Sequence, residues 1–405
     1  MNSTTHSILD VAVTAKRVIV RVDMNVPMHD GRISDDTRIR RAAPTLQDLA
    51  KRGAKVIVLS HFGRPKGKDA SLSLAPIREA LAHIVEGVTV HFVEDCIGDR
   101  VQNAIQSMAN GEILLCENVR FYEQEEAGDA VFARSLADLG DMYVNDAFSC
   151  SHRAHASITG IAQLLPSYFG MTMLEEVAAL HGVFSNPTRP VAALVGGSKV
   201  STKMELLEHL VETMDVLMIG GGMANTFLYA QGHEVGASLC EKDLQSLALK
   251  ILKKAHEHHC RILLPVDVTV SQKFAAHAQC RVVAADEIPE GWMALDVGVE
   301  TVRQWQEAMH DVKTLVWNGP VGAFEIAPFD HGTVAMARQI AALTGSGKLV
   351  AVAGGGDTVS ALSHAGLTDA MSYVSTAGGA FLEWLEGKEL PGVAVVHKQE
   401  ARLAS

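Results

Sequence analysis

"VAGGGDTVSAL", residues 352–362, runs from an apolar stretch through three glycines, an aspartate and a threonine into a helix-like apolar pattern. A strand that turns into a helix around an anion has this form. Backbone N–H groups at a helix N-terminus hold negative charge, and glycine lets a phosphate come close. The stretch is neither of the two familiar glycine loops. It does not satisfy GxGxxG, and neither does GGGMAN at 220–225, so a dinucleotide site of the Rossmann kind has little support. "SGK" at 346–348 lacks the first glycine of a Walker A loop at the required spacing and precedes a strand instead of following one, which excludes that reading. One such loop reads equally well as a tight strand–helix turn needing positive φ. The decision rests on whether the pattern recurs.

Working outward, it does. Short β-rich runs alternate with helical-period segments: RVIVRVDM (17–24), AKVIVLSHF (54–62), VTVHFVE (88–94), EILLCEN (112–118) and DMYVNDAF (141–148), with helix-like stretches at Arg38–Arg52 and Ala75–Ile84. This βαβ rhythm predicts a parallel sheet covered on both faces. Residues 170–186 (GMTMLEEVAALHGVFSN) read as a helix ended by the prolines of NPTRP. A second series follows: VAALVGG (191–197), DVLMIGGG (215–222), RILLPVDVTV (261–270), TLVWNGPVG (314–322) and KLVAVAGGG (348–356). The fold class is α/β, with two doubly wound, Rossmann-like parallel-sheet domains joined by a helix and a cleft between them. The domains run over 1–170 and 187–387, with 171–186 as the joining helix.

A length of 405 residues agrees, being too great for one core. The composition is globular, 48% hydrophobic and 20% charged. A net charge of −12 argues against nucleic acid as a partner. No apolar run is long enough to span a membrane, and the N-terminal stretch lacks a basic start followed by an apolar h-region, so secretion is not expected. Cys96, Cys116, Cys150, Cys240, Cys260 and Cys280 are scattered singly and read as free thiols of a reducing, cytoplasmic compartment.

Open α/β sheets bind ligands beyond the C-terminal strand ends. In the first half those ends carry RVDMN, SHFGRP, ENVRF and NDAFSCSHRAH, bringing Arg21, Asp23, Asn25, His61, Arg64, Arg120, His152 and Arg153 to one edge. In the second half they carry GGSKVSTK, GGGMANTF, WNGPVGAFE and GGGDTVS. Up to residue 153 there are 13 Arg and 5 Lys; beyond it there are 6 Arg and 11 Lys. Arginine is the residue of forked contacts to carboxylate and phosphate. Lys199 and Lys203, four apart at the start of a helix, would share one face and imply a nearby anion, since a helix N-terminus already disfavours lysine. Asp357 reads either as an ordinary N-cap, which the loop alone favours, or as a Mg²⁺ ligand beside nucleotide phosphates. His256, His259 and Cys260 in AHEHHC have metal-compatible spacing but no further ligand nearby, and read as a solvated helix end.

The ordered series RVDMNVP with DDTRI, SHFGRP, ENVRF, HRAHAS, GGSKVSTK, GGGMANTF, WNGPVGAFE and GGGDTV resembles the phosphoglycerate kinase family, from about residue 8 to ELPGVAVV near the end. The departures are small: HFGRP stands for the commoner HLGRP, and DVGVET has Val299 where the family often has proline. The resemblance implies reversible phosphoryl transfer between 1,3-bisphosphoglycerate and Mg·ADP, giving 3-phosphoglycerate and Mg·ATP, by a monomeric cytoplasmic enzyme. It implies that the first domain binds the glycerate, the second binds the nucleotide, and a tail at 388–405 packs back on the first. By position, Asp23 and Asn25 hold the substrate hydroxyl and neighbouring polar groups. Arg21, His61, Phe62, Gly63, Arg64, Arg120, His152 and Arg153 form the patch for the non-transferred phosphate and carboxylate, and Arg38 faces the transferring group. Lys199 and Lys203 contact phosphoryl oxygens, and Gly221, Gly222 and Gly298 border the adenosine. Glu325 meets the ribose. Gly354, Gly355, Gly356, Asp357 and Thr358 form the phosphate loop, with Asp357 on Mg²⁺. Catalysis is then expected from Arg38, Lys199 and Lys203 by charge neutralisation and domain closure. A nicotinamide-dependent dehydrogenase would show a true GxGxxG followed by an acidic residue. A mere binding protein would have no need of Arg38, Lys199, Lys203 and Asp357 together.

Overall fold

A computed structural model describes residues 6–184 and 187–403 of the chain. Residues Ala179–Lys388 form one compact unit; those before it, together with those from Glu389 onward, form the other.

The first unit is built on strands β1 (Arg17–Val22), β2 (Met28–His29), β3 (Arg32–Ile33), β4 (Lys55–Leu59), β5 (Val90–Val93), β6 (Ile113–Cys116), β7 (Met142–Asp146) and β8 (Ser167–Phe169). Six of them make one parallel sheet in the order β5-β6-β4-β1-β7-β8, while β2 and β3 form a small hairpin. The apolar strand runs have a direct cause, because both faces are covered. Val18, Val20 and Val22 of β1 enter one core layer and Ile19 the other. The helix Thr37–Lys51 buries Ile39, Ala42, Ala43, Leu46, Leu49 and Ala50, one stripe of a 3.6-residue period.

The second unit is built on β9 (Val191–Val195), β10 (Val216–Ile219), β11 (Arg261–Leu263), β12 (Asp267–Ser271), β13 (Cys280–Ala284), β14 (Met293–Val297), β15 (Thr314–Asn318), β16 (Val350–Gly354) and β17 (Tyr373–Ser375). Its main parallel sheet has the order β11-β10-β9-β15-β16-β17, the dinucleotide-fold order 3-2-1-4-5-6. The sequence reading of RILLPVDVTV as one strand is corrected here. Pro265, which has no N–H for a ladder, separates β11 from β12, and β12 becomes the centre of an antiparallel sheet, β13-β12-β14. The short edge strands β8 and β17 were also beyond the sequence reading.

In each sheet the chain starts near the middle, winds to one edge, then returns and continues on the other side of its first strand. Strand order therefore reverses between β1 and β7 in the first unit and between β9 and β15 in the second. Ligand crevices form at such switch points, beyond the strands' C-terminal ends. The helix expected over 170–186 runs over Met171–Phe184; residues 185 and 186 lie outside the described residues.

Candidate functional site

In the first unit the segments following β1, β4, β6 and β7 meet at the switch point. The Asp23 carboxylate is the hub. Oδ2 accepts from Arg38 at 2.6 Å and from the Ser149 hydroxyl at 2.5 Å, and Oδ1 accepts from the Asn25 N–H at 3.0 Å. Burial opposes its charge, but the Arg38 guanidinium and those hydrogen bonds outweigh burial and hold the carboxyl below its ordinary range. Asn25 in turn accepts from the Gly63 N–H at 2.8 Å, fixing the turn that carries His61, Phe62 and Gly63. Backbone conformation explains Gly63, whose φ of +60° an L side chain rarely adopts, and a Cβ there would also press on Leu72 Cδ2.

Arg120 is buried, donates to the Gly63 carbonyl at 2.8 Å and lies 3.1 Å from Glu126. Arg64 is exposed and Arg153 half-buried, the latter donating to His152 Nε2 at 3.1 Å. Arg21 departs from the sequence reading. It follows Ile19 on one face of β1, is 0% exposed, and is bonded to Ser157, the Val22 carbonyl and His61, so it lies beneath the crevice instead of lining it. Burial first, then the charges of Arg21, Arg120 and Arg38, push the His61 imidazolium well below the ordinary histidine range, against the pull of Asp23. His61 is neutral.

Residues that sequence reasoning missed do much of this positioning. Asn118 is fully buried. Its amide donates to the Phe62 carbonyl at 2.7 Å and the Leu72 carbonyl at 2.9 Å, and its Oδ1 accepts from the N–H groups of Phe62 and Arg120. The signal was present in ENVRF, where an asparagine ends a buried strand.

In the second unit the switch point opens into a cavity of about 460 Å³. Gly197, Gly221 and Gly222 bound it on one side and Pro320, Gly322 and Glu325 on another, with Leu239, Phe274, Met293, Ala294 and Val321 supplying apolar wall and Asp357 at one end. The side chains of Phe274 and Leu239 are 56% and 50% exposed, which large apolar groups adopt in water at a cost, and which marks a rim able to take an apolar face. Close packing accounts for two of the glycines. A Cβ on Gly221 would stand 2.7 Å from the Gly197 carbonyl oxygen, and one on Gly222 would stand 2.8 Å from that of Ser198.

Lys203 Nζ donates to the carbonyls of Gly196 at 2.7 Å and Asn318 at 2.9 Å, tying the ends of β9 and β15 together. Burial pulls its ammonium down to about 8, with Asp357 pulling the other way. Lys199 is exposed. The two lysines do not share a face of one α-helix: they bracket the 3₁₀ turn Val200–Thr202, and the α-helix begins only at Met204.

Three further readings change. Asp357 is not an N-cap. Gly355 holds that position, the helix Gly356–His364 has no side-chain cap, and Asp357 stands exposed in its first turn. Gly298 is buried against Asp267, where a Cβ would sit 2.2 Å from the carboxyl carbon, and it does not line the cavity; Ala294 on β14 does. Thr358 is fully buried, accepting from the Gly319 N–H at 2.7 Å and donating to the Gly354 carbonyl at 2.8 Å, so it braces the loop from inside. Val299, in the place of the expected proline, is exposed at the first turn of Val299–Met309, a position that suits proline equally. Among the described residues no group of three or more His, Cys, Asp and Glu could hold a metal, and no helix is long and apolar enough to cross a membrane.

Both units are thus Rossmann-like, one carrying a crevice of guanidinium and imidazole groups at its switch point and the other glycine turns around a cavity of about 460 Å³. The family description "Phosphoglycerate kinase" matches residues 8–388. A phosphoglycerate kinase of Rhodopseudomonas palustris is 54% identical over 396 residues, 98% of this chain and 99% of that one. One of Granulibacter bethesdensis is 57% identical over 385 residues, 95% of this chain and 97% of that one. The solved phosphoglycerate kinase of Coxiella burnetii superposes with a TM-score of 0.91 at 40% identity, covering 98% of this chain and 99% of that one. The chain belongs to the phosphoglycerate kinase family. It is an enzyme, a kinase whose reaction is reversible phosphoryl transfer between 1,3-bisphosphoglycerate and ADP, giving 3-phosphoglycerate and ATP.

Proposed function

We propose that the crevice of the first unit takes the glycerate and the cavity of the second takes the nucleotide. The observation that carries this division is their opposite chemistry: one is a cluster of arginines and a neutral histidine around Asp23, the other a largely apolar slot ending at the helix Gly356–His364. A purine suits the Leu239, Phe274 and Met293 walls, Glu325 is exposed where a ribose hydroxyl would need an acceptor, and the helix N-terminus suits phosphate. Arg64, Arg120, His61, His152 and Arg153 meet the carboxylate and the non-transferred phosphate, while Arg38 is turned to the transferring group.

Transfer needs no general base. An anionic oxygen of the ADP β-phosphate forms the new P–O bond as the bond from the same phosphorus to the acyl oxygen breaks, and the leaving 3-phosphoglycerate carries its charge as a carboxylate. Arg38, Lys199 and Lys203 would neutralise charge on the equatorial oxygens, where such transfer gains most. Asp357 suits Mg²⁺ arriving with the nucleotide: an exposed carboxylate lining the cavity in the first turn of Gly356–His364 matches a cation held mainly by phosphate and water, and that cation would add further neutralisation. The ligands assigned to separate units must meet with water excluded, so a fall in radius of gyration on adding both, and not either alone, is expected. Free cysteines suit a reducing cytoplasm, and action as a monomer completes the reading.

Calorimetry on the full chain tests the division. Arg64→Ala with Arg153→Ala should abolish 3-phosphoglycerate heat and spare Mg·ADP heat. Equal loss of both ligands would overturn it.

A further inference from the structure

We infer that Arg21 is a positioning residue and not a substrate ligand: with Ser157 and Glu125 it fixes His61 as the tautomer bearing its proton on Nε2, so that His61 enters the crevice as a neutral hydrogen-bond donor of set direction. The inference rests on the proposed glycerate reading for its consequence, but not for its geometry.

The chain of contacts is continuous and buried. Glu125, 0% exposed, accepts from the Ser157 hydroxyl at 2.5 Å and from the Ser157 N–H at 2.8 Å. With its proton spent on Glu125, the Ser157 oxygen accepts from Arg21 Nε at 2.9 Å. The Tyr143 hydroxyl donates to the Ser157 carbonyl at 2.9 Å and holds that residue from the other side. Arg21 then places a terminal nitrogen 3.2 Å from His61 Nδ1.

A guanidinium has donors only and stays charged, so Nδ1 has to be the acceptor. A neutral imidazole with Nδ1 accepting carries its hydrogen on Nε2. The other neighbour of Nδ1, the Cys150 sulfur at 3.9 Å, belongs to a thiol that burial keeps protonated, and so it competes for no proton. The charged and titratable groups around the ring are Arg21, Arg38 and Arg120, which oppose a second proton, and Asp23, which favours it; burial sides with the arginines. Glu125 stands at the far end of the chain that Arg21 enters through the Ser157 hydroxyl, with His155 Nδ1 3.7 Å away as its other neighbour.

The consequence is a division of labour. The exposed and half-buried arginines supply charge to the substrate anion, while His61 supplies direction and is silent to pH across the neutral range.

The test is ¹⁵N NMR of the full-length protein labelled at histidine, ligand-free, from pH 5.5 to 8.5, with the His61 signals assigned by their loss in His61→Gln. The expected result is a neutral ring with a protonated Nε2 at neutral pH, any titration falling below the ordinary histidine value. A His61 that titrates near its ordinary value of about 6.5, or that carries its proton on Nδ1, overturns the inference in the wild-type protein itself, whatever becomes of any Arg21 variant. Arg21→Met sharpens it. The ring should then titrate and mix tautomers, and KM for 3-phosphoglycerate should rise roughly tenfold or more with nucleotide KM unmoved, the loss of one oriented bond to a charged ligand. An Arg21→Met protein whose His61 spectrum is unchanged also overturns it. Adding 3-phosphoglycerate to the wild type separates the two claims: if the His61 signals do not move, the glycerate reading fails while the tautomer assignment stands.

Discussion

The two switch-point crevices are made of different material. The first is held by side chains: Asp23 binds those of Arg38 and Ser149, Asn25 binds the backbone of Gly63, and Asn118 binds the backbone of Phe62 and Arg120. The second is built from backbone: glycine turns, carbonyls gathered by Lys203, and a helix N-terminus, with apolar walls between. Buried charges give direction and specificity, but each must be matched by another. Backbone groups come already fixed by the sheet and demand only that no Cβ intervene. Side-chain loss should therefore cost the first crevice most, and backbone or dielectric changes should cost the second.

The largest effect is expected at Arg38. Arg38→Ala should lower turnover by on the order of 10²–10³, as for loss of one preorganised charge donor. Arg38→Lys should recover little, because a point charge cannot hold Asp23 and face the phosphoryl group as a fork does. Steady-state ATP formation measures this; near-normal turnover of Arg38→Lys would remove Arg38 from the role proposed.

Next is a pH effect that should fall on one unit. Burial raises the Asp296 carboxyl to about 8, helped by the charge of Asp330, despite N–H bonds from Val297 and Gly332. In the first unit burial raises Asp146 only to about 6. A folded-state value above the unfolded one means that the folded chain binds more protons, so stability is full at low pH and declines as pH rises. For Asp146 the decline runs from about 4 to 6, and for Asp296 from about 4 to 8. Between pH 6 and 8, Asp296 alone of the pair should cost its unit roughly 2 kcal/mol, at about 1.4 kcal/mol per pH unit. All four tryptophans, Trp292, Trp305, Trp317 and Trp384, belong to the second unit, so urea unfolding followed by tryptophan fluorescence reads that unit alone. Asp296→Asn should flatten the decline. A wild-type midpoint unchanged from pH 6 to 8 would contradict a protonated Asp296.

The same contrast explains what was legible in the sequence. Strand–loop–helix rhythm and the residue types at strand ends are local, and from them came both sheets, the strand-end loops and the two chemistries. Which way a side chain points is not local when a strand is buried on both faces. RVIVRV reads the same whether Arg21 lines the crevice or lies under it, and only the partner Ser157, 136 residues on, decides. Glycine is ambiguous for a like reason. Gly298 is glycine because Asp267 folds over it, a contact between distant segments, while the cavity wall nearby is Ala294. The hidden antiparallel sheet depended on Pro265 dividing a run that looked continuous.

A smaller effect is expected at Asp357. Because its carboxylate caps nothing, Asp357→Asn should alter stability by only a few tenths of a kcal/mol, through the helix dipole. Mg·ADP affinity should fall about tenfold, one charge-assisted contact, with 3-phosphoglycerate affinity nearly intact. Calorimetry showing equal losses for both ligands would count against the assignment to the second crevice.

The smallest effect tests the claim that the second crevice is backbone. The three glycines of the opening loop are there for three different reasons. Gly354 ends β16 under Phe381, whose ring would lie 2.6 Å from a Cβ. Gly355 has φ +96°, which an L side chain rarely adopts, with Asn318 Nδ2 2.9 Å from the Cβ position. Gly356 is helical and exposed, and a Cβ there meets nothing within 4 Å. Nothing in the fold asks for glycine at Gly356, and the proposed reason for it is close approach of the nucleotide phosphate. Gly355→Ala should therefore destabilise the second unit by about 1 kcal/mol or more, through strain alone. Gly356→Ala should do the reverse, stabilising that unit by roughly 0.5–1 kcal/mol as glycine gives way to alanine in a helix, while ADP affinity falls. Urea unfolding by tryptophan fluorescence and ADP calorimetry on the same samples read the two quantities separately. A Gly356→Ala protein that is more stable and binds ADP as well as the wild type would show that no phosphate rests on this turn.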